Sequence, residues 1–170
     1  LQNSISSNVA YIQSINNSQN NTIQTAWNTA NTALPNTGGT IGGNLVVTGT
    51  LNVSNSLVMT SYTESSSSPT ISGGTLTLNL AASSVFDVTL NAAISNLTIS
   101  NPSVSGKVSS FVLVFEYTGS AYTVVWPATV RWPGATAPTL TNTNGKRDIF
   151  TFFTFDGGTS YNAFISGQNL

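Results

Sequence analysis

Hydrophobic positions along this chain follow two different periods. From Ile5, alternate steps of four and three residues collect Ile5, Val9, Ile12, Asn16, Gln19, Ile23, Ala26, Ala30 and Ala33, seven of the nine being apolar. The register from Leu1 meets Asn8, Gln19, Thr22 and Thr29 and fits less well. An apolar repeat of about 3.5 residues keeps one seam turned toward a partner, which is the pattern of a coiled coil. The remaining positions are mostly Asn, Ser and Thr, mediocre helix formers with no charged pairs to support them. Such a helix melts alone, so the pattern predicts partner strands. β-Branched Ile and Val at the seam favour three strands over two, with Asn16 and Gln19 as a polar interruption that sets register. The alternative is a single amphipathic helix packed on its own β domain.

Pro35 and the turn-rich "PNTGG" end the helical period. Beyond them the period becomes two. In "TIGGNLVVTGTLNVSNSLVMTS", Leu45, Val47, Leu51 and Val53 share a face and glycine recurs, as in solenoids and intertwined β prisms. One pass of such strands cannot bury its own apolar face. "ESSSSP" reads as a connector. From residue 70 onward, "TLTLNL" and "VFDVTL" alternate cleanly, "SFVLVFEY" and "AYTVVW" flank a turn at 118–120 as a hairpin, and "DIFTFFTF" and "SYNAFISG" flank "DGG" as another. "DIFTFFTF" is apolar on both faces, Ile149, Phe153 and Phe155 on one and Phe150 and Phe152 on the other, so this strand is central or covered by a neighbouring chain. The expected architecture is mainly β in three parts. These are a trimeric coiled-coil helix over 1–34, a short intertwined Gly/Thr-rich β stalk and linker over 35–69, and a C-terminal antiparallel β-sandwich of jelly-roll type over 70–170.

Composition narrows the chemistry. Charged residues are 5% of the chain, against about 25% in ordinary soluble proteins. Ser, Thr and Asn supply about two fifths of the residues, well above average usage. A net charge of −1 with four scattered Lys and Arg gives no basic stripe for nucleic acid and no attraction to an anionic membrane. There is no cysteine for disulfides or thiolate metal sites and no histidine for general-base or metal-ligand roles. No apolar run approaches the ~18 residues of a membrane span, and "LQNSISSNVA" lacks the form of a signal peptide. A start without methionine points to a mature product or the surviving part of a longer chain.

Catalysis has few candidates. Ser and Thr nucleophiles lack an activating base apart from Lys107 and Lys146. Of the carboxylates Glu64, Asp87, Glu116, Asp148 and Asp156, Asp156 sits in a turn, while Asp87 and Glu116 fall on polar strand faces. "NGKRD", 144–148, reads as a solvated turn with a local ion pair. No EF-hand loop is present. The expectation is a protein that is not an enzyme and uses no metal or cofactor.

"VVWPATVRWPG", 124–134, holds two of the three tryptophans, each followed by proline. In extended chain Val124, Trp126, Ala128, Val130 and Trp132 share a face, so the two indoles belong to an apolar row suited to packing. Each proline removes a backbone donor and suits an edge strand. The functional alternative is a sugar-stacking platform, with Tyr122, Trp126, Arg131 and Trp132 as candidate receptor contacts.

"GNLVVTGTLNV" resembles the stalk repeats of bacteriophage tail fibres and related virion proteins. The run over 109–168, with its "TVVWPATVRWPG" and "DIFTFFTFDGG" elements, is similar to a C-terminal module of phage structural proteins, notably those of phages of marine cyanobacteria. The resemblance covers most of 41–168. It implies a trimeric virion fibre or spike with a coiled-coil and β stalk and a terminal β knob, assembled in the host cytoplasm, whose partners are its own copies and other virion proteins; a surface of Asn, Ser, Thr and aromatic groups with few charges is suited to a host cell-surface glycan as a further partner. A capsid decoration or head fibre, and a trimeric bacterial surface adhesin, are the alternatives.

Overall fold

The computed structural model describes residues 1–32 and 41–170. Ala33, Pro35 and the expected "PNTGG" turn lie outside the described residues. The chain divides into two units, Leu1–Leu57 and Val58–Leu170.

The first unit opens with helix α1, Gln2–Thr32, about 46 Å long at 1.5 Å per residue. Its seam residues Ile5, Val9, Ile12 and Ile23 are all more than half exposed, and no side chain over 1–28 is buried. The hydroxyls of Ser14, Thr22 and Thr25 donate back to the carbonyls of Tyr11, Ser18 and Asn21. Those bonds occupy the hydroxyls without adding much to helix stability. Residues 41–65 form no strand, and Leu45, Val47, Leu51 and Val53 are exposed. Their alternation has no strand partner among the described residues.

The second unit holds eight strands: β1 Ser66–Ser67, β2 Thr75–Asn79, β3 Val85–Leu90, β4 Asn96–Ser100, β5 Ser109–Tyr117, β6 Val130–Arg131, β7 Arg147–Thr154 and β8 Tyr161–Gly167. Six of them form one sheet in the order β1-β3-β5-β7-β8-β6, and β2 pairs with β4 in a second. The expectation of an antiparallel sheet is corrected here, because the large sheet is mixed. β1–β3, β3–β5, β6–β8 and β2–β4 are parallel, and only β5–β7 and β7–β8 are antiparallel. From β1 to β5 the chain alternates between the two sheets, so strands that become neighbours run the same way. That winding supplies the long crossovers parallel pairing requires.

Of the two predicted hairpins, β7–β8 forms across "DGG". There Gly157 and Gly158 take φ of 71° and 83°, a region open to glycine. A Cβ on Gly158 would lie 2.6 Å from the Tyr161 hydroxyl. The hairpin expected between 110–117 and 121–126 does not form. Both edges of β5 are taken, by β3 and β7, so Val124 makes a parallel bridge with Ile94 instead.

One core joins both sheets: Leu76, Leu78 and Leu97 pack with Phe86, Val88, Phe111, Leu113, Phe115, Phe150 and Phe152. β7 is a central strand between β5 and β8, as its doubly apolar pattern predicts. Phe150 and Phe152 fill the core, while Ile149 and Phe153 lie on the opposite face, partly exposed. That face continues through Val112 and Val114 of β5 and Phe164 of β8.

Candidate functional site

The segment carrying the two Trp-Pro pairs crosses the rim of the core with little regular structure. Ile94 N–H donates to Thr123 O and Val125 N–H to Ile94 O, each at 2.8 Å, which fixes the path into Trp126. Pro127 O then accepts Val130 N–H in a turn leading to β6. Val124, Trp126 and Val130 pack against the core and Trp132 is buried, with Ala128 at the exposed turn. The Trp126 and Trp132 rings meet edge to face at 5.0 Å, and both contact Phe150 and Phe152. Trp132 is 8% exposed and so offers no open ring face.

The structure divides the four candidate contacts between two hollows. Tyr122 and Trp126 line one of about 240 Å³ with Thr123, Val124, Ala137, Pro138, Leu140 and Asn142. Arg131 and Trp132 line another of about 300 Å³ with Pro133, Asn162, Ala163 and Phe164. A third, about 220 Å³, lies beside Asp87, Thr89 and Asn91. Among the described residues, three buried side-chain atoms lack a hydrogen-bond partner: Asn142 Oδ1, Trp132 Nε1 and Asp87 Oδ1. Each belongs to a residue lining one of these hollows. Asn142, at φ 48°, is held in the left-handed region that Asn tolerates. The Tyr122–Trp126 hollow carries no charged side chain. It can offer aromatic surface, hydroxyl and amide groups, but no proton-transfer pair.

The carboxylates are spread through the unit. Asp156 accepts from the Ser160 hydroxyl and amide and from the Thr154 hydroxyl within the β7–β8 turn. The Ser160 bonds above all hold its pKa down at about 2. Glu116 pairs across strands with Arg147 at 3.4 Å, both exposed. Glu64 accepts from the Ser84 hydroxyl. None of the three hollows contains two carboxylates. Among the described residues no group of three or more metal-binding side chains occurs, and no helix is long and apolar enough to cross a membrane.

Asp148 departs from its sequence reading as part of a solvated turn. It is fully buried, and accepts from the Tyr117 hydroxyl, the Thr141 hydroxyl and amide, the Asn169 amide and the Gln168 side chain. Burial pushes its pKa up, but the bonds from Thr141, Tyr117 and Asn169 outweigh that and leave it lowered. Burial and the Asp148 carboxylate together push the Tyr117 phenol up. This cluster ties the C-terminal residues and the 139–143 loop to β7. A sequence signal existed for it, since Asp148 shares its parity with Phe150 and Phe152.

No family model, curated protein or solved structure compared with this chain matches it.

Proposed function

We propose that this chain is a non-enzymatic structural segment of a homotrimeric fibre, the distal part of a phage tail fibre that touches the host surface. The observation that carries the trimeric part is the first unit itself, an apolar seam at 3.5-residue spacing along a helix with no buried side chain over residues 1–28, followed by exposed alternating Leu and Val. About two dozen residues of poor helix formers do not hold a helix in water without tertiary contact. Three parallel copies give the seam a core and give 41–59 the neighbouring strands it lacks, forming the coiled coil and the intertwined stalk. The β unit is the terminal knob, a sandwich of the six-stranded sheet and the β2–β4 pair. The phage assignment rests on the resemblance of the stalk and knob stretches.

At the host, the Tyr122–Trp126 hollow meets a neutral glycan through aromatic surface and Thr, Asn and Tyr polar groups. Such sites are weak singly, and three on one stalk raise the effective affinity. Light scattering coupled to size exclusion tests the assembly: three chain masses are expected, and a folded single chain overturns the reading. A labelled trimer should bind susceptible host cells over resistant ones. Equal or absent binding to both removes the host-contact role and favours a capsid decoration.

A further inference from the structure

We propose that the hollow between β3 and the segment 68–71 binds a neutral sugar ring, held through the carboxylate of Asp87; the inference depends on neither the trimeric nor the host-contact reading. Asp87 and Thr89 alternate with the core residues Phe86, Val88 and Leu90, so both lie on the outer side of β3. β1 runs beside β3 only as far as Ser67, which pairs with Phe86. Two residues on, Pro69 has no N–H to continue a ladder, and the pairing with β3 ends before it. Ile71 then packs against the core. A hollow of about 220 Å³ is left between this segment and β3.

The lining dictates the chemistry of the occupant. Asp87 Oδ1 is buried and no group donates to it, and no ion pair among the described residues includes Asp87. A buried acceptor without a donor is costly, so a ligand that supplies the donor gains what the fold forgoes. An ionised carboxylate only accepts, whereas the hydroxyls of Ser68, Thr70 and Thr89 and the amide of Asn91 both donate and accept. The occupant must therefore donate to Asp87 and exchange hydrogen bonds in both directions with its neighbours. Adjacent hydroxyls on one ring do both. Pro69 and Ile71 add apolar surface for the carbon–hydrogen side of that ring. A metal ion is served less well. Calcium takes roughly six to eight oxygens, usually with several carboxylates, while this hollow has one carboxylate and no group of three or more metal-binding side chains occurs among the described residues.

Saturation-transfer NMR on the full chain, with D-glucose, D-galactose and D-mannose as separate probes, tests the site. At least one sugar should receive saturation from the wild-type protein. Asp87→Asn removes the charged acceptor without breaking a bond to Oδ1 within the protein, and should weaken that sugar's binding about tenfold or more. Thr89→Val, an exposed position that keeps its β-branched shape, should weaken it by about threefold. No transfer to any of the three sugars, or transfer that Asp87→Asn leaves unchanged, overturns the site. In either case the host-contact reading is still decided separately by the cell-binding assay. A calorimetric titration in which calcium binds the wild type and not Asp87→Asn assigns the hollow to a cation and overturns the sugar site as well.

Discussion

Asp148 stands where alternation along β7 calls for a hydrocarbon, between the core and the last residues of the chain. A buried carboxylate is tolerated when its lone pairs are filled, and here hydroxyl, amide and side-chain donors converge on both oxygens. Asp148→Asn turns an amide NH₂ toward those donors, and an expected loss of about 3 kcal/mol follows from leaving buried donors unpaired. Urea titration of the variant against wild type measures it. The same carboxylate sets a pH dependence. Its folded pKa lies below the unfolded 3.8 and that of Asp156 falls to about 2, so both contribute stability that is present above 3.8 and lost as pH falls through the folded values. Thermal unfolding should therefore stay level near neutrality and move to lower temperature below about pH 4, less steeply in Asp148→Asn. Trp132 supplies the opposite case, a large apolar side chain at 8% exposure against Phe150 and Phe152. Trp132→Ala should cost about 3–5 kcal/mol, the usual range for a buried large aromatic, again read by urea titration.

At the scale of elements, α1 and the strands depend on different sources of stability. The strands of the second unit bury their alternating residues within one chain. The helix buries nothing over 1–28, and its propensity is poor. In the coiled coil proposed above Asn16 and Gln19 fall on the seam, where a polar layer in a three-stranded core would lower stability and fix register. Replacing both with isoleucine should raise the melting temperature of the trimer and loosen register. Calorimetry reads the first, and cross-linking of a single cysteine placed on the helix reads the second. A fall in melting temperature with the trimer intact removes these residues from the seam.

For the whole molecule the sparse charge has a consequence for recognition. The Tyr122–Trp126 hollow contains no ionisable group other than the tyrosine itself, and the net charge is −1. Screening acts on charges, so the host-cell binding proposed above for a trimer should change little between low and physiological salt. Dissociation into single chains should abolish it, because weak sites lose their multivalency. Cell-binding titrations at two ionic strengths, with intact trimer and with a seam-disrupted Ile12→Asp variant, check both statements. A strong salt dependence assigns binding to Arg131 or Lys107 instead.

Period is a local property, and what depends on period was legible in the chain. The helix over Gln2–Thr32, the alternation of β2, β3, β5 and β7 and the turn at "DGG" follow from side-chain spacing and turn chemistry, whereas the period-two stretch over 41–53 forms no strand within the chain, and the doubly apolar β7, central or covered by another chain on its pattern, is central in the sheet. Strand direction and partnership are not local. Period two is the same for parallel and antiparallel neighbours, so the alternation between two sheets that makes β1, β3 and β5 parallel left no mark in the pattern. The expected partner of β5 at 121–126 was excluded only because β3 and β7 already occupied its two edges. Tertiary structure likewise decided that Tyr122 and Trp126 line one hollow and Arg131 and Trp132 another, and that the acid in "NGKRD" turns inward to Tyr117. Spacing assigns a side chain to a face; which groups wait across that face depends on residues dozens of positions away.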